Sequence, residues 1–392
     1  MFNQRFYGLG STRSVIRELF EYGKKRKAEI GENNVFDFSL GNPSIEPPES
    51  VNKSISELIA TKNSVQLHGY TSAQGDFSVR KSISDSISSR FKINMSPDLI
   101  YMTCGAAASL TITLGALVCP GEKVLALAPY FPEYKVFSET AGAKFEVVKP
   151  LDDMTVDLDD LEAKLDETVK AVIVNSPNNP GGVVYGESLI VKMSEILSRK
   201  SKEFGTRIFM IADEPYRELV YGAKVPYVMN YYADSVVCYS YSKSLSLAGE
   251  RIGYVAINPE MKDAEKLYLA VCGAGRAYGY VCAPSMFQFV AKANVSTSAL
   301  VEKYKENRDV LCDALGKYGY EFAKPDGAFY LFVKSPSGSS EEFCERAKKH
   351  EILIVAGTGF GVPTHARISY CVAKETIVNS LPRFKALIEE YK

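Results

Sequence analysis

Between residues 98 and 258 the chain repeats one arrangement: a short apolar run, a polar turn, then a helical stretch. The runs are Ile100–Thr103, Lys123–Leu127, Ala171–Val174, Ile208–Ile211, Val236–Tyr239 and Gly253–Ile257. Runs this short, mostly apolar and alternating with helical stretches such as Leu189–Lys200, predict strands buried on both faces. The pattern implies an α/β fold, a mostly parallel sheet covered by helices. In such sheets ligands gather at the carboxyl ends of the strands. What stands just past each run therefore bears on function.

Past Val236–Tyr239 come Ser240, Ser242 and Lys243, with Arg251 eight residues after the lysine. A buried strand that feeds into two hydroxyls and an amine delivers polar groups to its carboxyl end. The lysine amine can form a Schiff base with an aldehyde, and the hydroxyls and arginine supply donors for a dianion. A solvated lysine at a strand end is the plain alternative, so the argument needs partners on other strands. Past Ile208–Ile211 stands Asp213, followed by Tyr216. A carboxylate at that depth requires a cation or a donor, which a protonated pyridine nitrogen would be; capping of a following helix is the other reading. Past Ala171–Val174 lies Asn175-Ser-Pro-Asn178-Asn179-Pro180, where Asn179, with Tyr216 from the next strand, is placed to donate to a phenolate oxygen. Past Ile100–Thr103, Gly105, Ala106 and Ala107 open the apolar helix Leu110–Val118, whose exposed amides and dipole favour an anion. Past Lys123–Leu127, Tyr130 or Phe131 offers a ring for stacking.

The rest of the chain changes character. Residues 14–30 carry Val15, Ile16, Leu19, Phe20 and Ala28 at helical spacing, and Phe36–Leu40 reads as a short strand. The closing third holds a helical pattern over 298–315, apolar stretches at Gly327–Val333, Ile352–Val355 and Ala366–Ser369, and a terminal helix. We expect a large domain at 46–288 and a smaller α+β domain made of 1–45 and 289–392, consistent with a length of 392 residues.

Bulk properties exclude several classes. A net charge of −1 gives no overall attraction to nucleic acid or a membrane surface. Eight scattered cysteines without a Cys-x-x-Cys spacing point to reduced thiols in a cytoplasmic protein, not to disulfides or a metal site. The start of the chain has no signal-peptide pattern, and no run reaches transmembrane length.

Taken in order, Tyr70, Gly105-Ala106-Ala107, Phe131, Asn179-Pro180-Gly181, Asp213-x-x-Tyr216, Ser240-x-Ser242-Lys243 and Arg251 resemble the class I/II aminotransferases of the pyridoxal 5′-phosphate (PLP) fold type I. The resemblance runs from Gly41-Asn-Pro43 to Arg367-Ile-Ser369. It implies that Lys243 carries the cofactor, Asp213 pairs the ring nitrogen, and Asn179 and Tyr216 bind the ring oxygen. Phe131 takes the stacking position, and Ser240, Ser242, Arg251 and the amides near Ala106 and Ala107 hold the phosphate. It further implies that Tyr70 reaches the neighbouring subunit's phosphate in a homodimer with shared active sites. Arg367, with Gly41, binds the substrate carboxylate, and the bond at Asn179-Pro180 is cis.

Substrate choice is less defined by the sequence. Arg276 lies near the place where some aspartate aminotransferases put an arginine for the distal carboxylate, with different spacing to Ala283-Pro284. Other bacterial aspartate aminotransferases use a lysine where this chain has Ala106-Ala107-Ala108. The expected activity is transfer of an amino group from an L-amino acid, such as aspartate or another acidic or broad-range donor, to a 2-oxo acid such as 2-oxoglutarate. A PLP-dependent cysteine-S-conjugate β-lyase, or an aminotransferase for alanine or aromatic amino acids, is the alternative.

Overall fold

A computed structural model describes residues 2–11, 15–298 and 301–392; Ser14 and the side chain of Val15 from the first helical pattern, and Ala299 and Leu300 from the 298–315 pattern, lie outside the described residues. The chain divides into two compact units, one of Ile45–Val301 with Asp326–Ala328, the other of Met1–Ser44, Glu302–Pro325 and Phe329–Lys392.

The larger unit is built on a seven-stranded sheet in the order Ile100–Thr103, Gly253–Ile257, Ser235–Ser240, Phe209–Asp213, Val169–Asn175, Lys123–Leu127, Lys144–Val148. Only Gly253–Ile257 runs against its two neighbours; the remaining pairs are parallel. Four of these strands are buried at every residue, as apolar runs between two helical layers must be. Lys144–Val148 was not among the expected strands. It is an edge strand whose first four residues are exposed or half-buried, so charged and apolar residues share its sequence and no apolar run marks it. The parallel register sets Asn175 beside Asp213 and Asp213 beside Cys238, which aligns the carboxyl ends where the polar residues collect.

Ile45, residues 289–298, Val301 and Asp326–Ala328, all expected in the smaller domain, group with the larger unit. Helix Ser285–Ala293 lies against helices Glu49–Thr61 and Phe77–Phe91. Asn294 fixes its end, accepting from Ser50 Oγ at 2.6 Å and donating to Ser54 Oγ at 3.1 Å.

In the smaller unit, Tyr330–Lys334, His365–Ser369 and Val355–Ala356 form an antiparallel sheet, and Phe36–Asp37 pairs in parallel with Ile352–Leu353. The apolar run at 352–355, read as one strand, is thus shared between two sheets. Phe38, Phe329, Phe332, Phe343 and Phe384 fill the core beneath the terminal helix Lys374–Glu389. Among the described residues, no helix is long and apolar enough to cross a membrane.

Candidate active site

The larger unit brings the sequence-derived residues to the carboxyl edge of its sheet. Ser240 ends its strand and accepts from the Ser242 amide at 3.2 Å, capping the single helical turn Tyr241–Ser244 that carries the half-buried Lys243. Ser240 Oγ also donates to Ser242 Oγ at 2.8 Å. Arg251 Nη1 donates to Ser242 Oγ at 3.2 Å and to the Ala248 carbonyl at 3.0 Å, from a left-handed backbone position with φ 54°. Two hydroxyls and a guanidinium therefore share one small volume.

The start of helix Ala106–Leu117 closes this cup. Gly105 has φ 87°, and a Cβ there would lie 2.7 Å from Arg251 Nη2. The position demands glycine both for its backbone angle and for the approach of the arginine. Thr103 and Ser109 hydroxyls lie 2.7 Å apart, and Ser109 donates to the Tyr254 carbonyl at 3.2 Å, pinning the helix start to the sheet. Ala106 and Ala107 stay half-exposed at that start, where free amides and the helix dipole attract an anion.

Asp213 is buried, and its Oδ1 has no hydrogen-bond partner among the described residues. Its Oδ2 accepts from the Tyr134 hydroxyl at 2.5 Å. Burial pushes the carboxyl up to about 7; the Tyr134 bond opposes this and the nearby Glu214 charge adds to it. An ionised carboxylate with a bare oxygen at this depth is costly unless a cation meets it. A protonated pyridine nitrogen does so, while the Gly105–Arg251 cup suits a phosphate and Lys243 an aldehyde. The residues present fit PLP.

Several supporting residues escaped the sequence reading. Asn175 donates from Nδ2 to the Asp213 carbonyl at 2.8 Å and accepts the Asn179 amide on Oδ1 at 2.8 Å, holding Asn179 in register with Asp213. The Asn179-Pro180 bond is cis, as are Ala128-Pro129 and Ser176-Pro177. Glu214 and Arg217 form a buried ion pair on either side of Tyr216. The Arg217 guanidinium also donates to the Val225 and Pro226 carbonyls and sits 5.1 Å from the Phe91 ring and 5.0 Å from that of Tyr227. Together these contacts anchor the loop that presents Tyr216, itself buried. Phe131 meets the Tyr134 ring edge-on at 5.7 Å, whereas Tyr130 turns to Phe145. The signal for Tyr134 was only its place three residues past Phe131; a hydroxyl in reach of a carboxylate on another strand has no local spacing.

In the smaller unit Arg367 is buried, donates to the Ser39 carbonyl at 2.5 Å and stacks 4.8 Å from the Tyr330 ring and 5.0 Å from that of Phe360. A Cβ on Gly41 would collide with the Tyr330 hydroxyl, so Gly41, Tyr330 and Arg367 form one cluster there. In the larger unit Tyr70 is 88% exposed, and Arg276 is exposed in the last turn of helix Ala264–Ala277. The described residues hold no group of three or more His, Cys, Asp or Glu able to bind a metal.

Fold and cup together define a PLP-dependent enzyme of fold type I. The chain belongs to the class I and II aminotransferases, whose family profile matches residues 33–383, and it is an aminotransferase. An aspartate aminotransferase of Thermotoga maritima is 30% identical over 379 residues, covering 94% of this chain and 96% of that protein. A crystal structure of an amino transferase from Eubacterium rectale superposes with a TM-score of 0.98 at 52% identity, covering 100% of this chain and 99% of that one. The crystal structure of a Thermotoga maritima aspartate aminotransferase gives 0.87 at 27% identity, covering 99% and 100%.

Proposed function

We propose that this aminotransferase moves an amino group from an acidic L-amino acid, aspartate first, to a 2-oxo acid such as 2-oxoglutarate. The relatives named as aspartate aminotransferases support the donor, and a further relative from Aquifex aeolicus, 27% identical, carries the name probable aspartate/prephenate aminotransferase. The observation that carries the reading of the site is the buried Asp213 carboxylate, one oxygen without a partner among the described residues, at the same edge of the sheet as Lys243 and the Gly105–Arg251 cup.

Bound PLP supplies an aldehyde for the amine and a ring that draws electrons from the substrate's α-carbon. Lys243 Nζ holds the cofactor and then accepts the substrate α-proton as general base. Asp213 keeps the ring nitrogen protonated. Asn179 and Tyr216 donate to the ring oxygen, and Phe131 covers a ring face. Ser240, Ser242, Arg251 and the Ala106 and Ala107 amides bind the phosphate. Arg367 takes the substrate α-carboxylate in two parallel bonds, beside Gly41. Arg276 reads the distal carboxylate of an acidic donor.

The protein acts in the cytoplasm as a homodimer, with Tyr70 reaching the neighbouring subunit's phosphate. The 88% exposure of Tyr70 supports this, as do the exposed Val65, Phe77 and Val281 in the same unit.

A panel of amino donors against 2-oxoglutarate, pyruvate and oxaloacetate tests the proposal. Aspartate with 2-oxoglutarate should be among the fastest pairs. Preference for alanine or an aromatic donor would overturn the substrate reading, and pyruvate released from a cysteine conjugate without an acceptor would overturn transamination.

A further inference from the structure

The role proposed for Asp213 leaves a question of chemistry. Burial alone favours the neutral carboxylic acid, and a neutral acid cannot hold a pyridine nitrogen protonated. Something in the protein must favour the charged form and fix which oxygen remains available. Among the described residues the only side chain that bonds the carboxylate is Tyr134, through Oδ2.

Tyr134 is placed for this by its own packing. It lies in the first turn of helix Glu133–Thr140, after the cis Ala128-Pro129 turn that leaves strand Lys123–Leu127, which is separated from the Asp213 strand by Val169–Asn175. It is 1% exposed, and its ring meets Phe131 edge-on at an interplanar angle of 85°. One residue therefore braces both the stacking candidate and the carboxylate. Burial and the neighbouring Asp213 raise the phenol's proton affinity well above its ordinary value, so it remains a donor. The ionisable groups around the pair are Glu214, Tyr216, Tyr185 and Cys238. Of these, the buried Cys238 thiol is pushed up by its surroundings and stays protonated.

We propose that Tyr134 is a positioning residue for the reaction: its hydroxyl bond to Asp213 Oδ2 holds the carboxylate ionised and leaves Oδ1 as the oxygen that meets the cofactor's ring nitrogen. The inference rests on the assignment of Asp213 to that nitrogen. It concerns where a proton resides, so its readout is spectroscopic.

The test is nitrogen-15 NMR of holoenzyme loaded with ring-labelled PLP at neutral pH. In the unaltered enzyme the resonance should stand at the protonated-pyridine position. Tyr134→Phe removes one oxygen and keeps the ring, so packing against Phe131 is retained. Its resonance should move toward that of neutral pyridine, because the shared proton shifts to a carboxylate that has lost its donor. A 3-fluorotyrosine at position 134, which keeps the donor, should retain the unaltered resonance. Asp213→Asn separates the two claims. If Asp213→Asn moves the resonance and Tyr134→Phe does not, the Tyr134 role is wrong and the Asp213 role stands. If Asp213→Asn leaves it unmoved, the parent assignment fails as well. A shift in the fluorinated enzyme equal to that of Tyr134→Phe would show that ring packing, not the hydroxyl bond, is responsible.

Discussion

The cup in the larger unit and the Arg367 cluster in the smaller one hold their side chains in opposite ways. In the larger unit the cup is made at the ends of elements: a strand terminus for Ser240, a helix start for Ala106 and Ala107, and a left-handed turn for Arg251. Asp213 there retains an oxygen without a partner. In the smaller unit Arg367 sits within a strand, between two rings and against the Ser39 carbonyl. Groups at the ends of elements are aimed by backbone geometry that short motifs encode. An arginine braced by rings is aimed by residues far away in sequence. The first kind holds several donors toward one small volume; the second fixes a single guanidinium among side chains.

The contrast can be broken at its strongest point first. Lys243→Ala should lower turnover at least about 1,000-fold in a coupled assay, through loss of both the cofactor link and the base. Activity within tenfold of the unaltered enzyme would remove Lys243 from its role.

The next effect lies in the cofactor-free protein. Asp213 titrates near 7 when folded, against an ordinary value of 3.8, so folding favours its neutral form. The associated stability is fully present below about pH 4 and is lost as pH rises through about 7, by at most about 4 kcal/mol. Denaturant titrations from pH 4 to 8 should show this slope, and Asp213→Asn should flatten it. An unchanged slope in that variant would assign the pH dependence to other groups.

Arg367→Ala sharpens the contrast from the other unit. It should raise KM for amino acid and oxo acid about 100-fold while leaving the affinity for PLP unchanged. Arg367→Lys should recover only part of the loss, since an ammonium lacks the planar fork. A parallel fall in PLP affinity would mean that the arginine serves the cofactor instead.

The smallest expected change is in Gly105→Ala. The added carbon meets Arg251 and the backbone is held at φ 87°, so PLP affinity should fall roughly tenfold with KM little altered. Equilibrium dialysis of the cofactor measures it. An effect on KM alone would contradict a phosphate cup at this position.

The buried strands of the large sheet were legible because each is a near-continuous apolar run. Ile100–Thr103, Lys123–Leu127 and Gly253–Ile257 have the bounds read from sequence. The edge strand Lys144–Val148 and the division of 352–355 between two sheets were not, because edge exposure and a change of sheet partner leave no periodic signal. The same distinction holds in the candidate site. Lys243, Asp213 and Asn179 stand just past apolar runs and could be read from there. Tyr134 reaches the Asp213 carboxylate, Asn175 the Asp213 carbonyl and Arg217 the Phe91 ring, contacts between distant segments that only folding reveals.

The central claim is a covalent link between one amine and the cofactor's aldehyde. Borohydride reduction of the PLP-loaded enzyme, followed by peptide mapping, tests it most directly. The account predicts one phosphopyridoxyl group per chain, on Lys243. A label on a different lysine, or none, would contradict it.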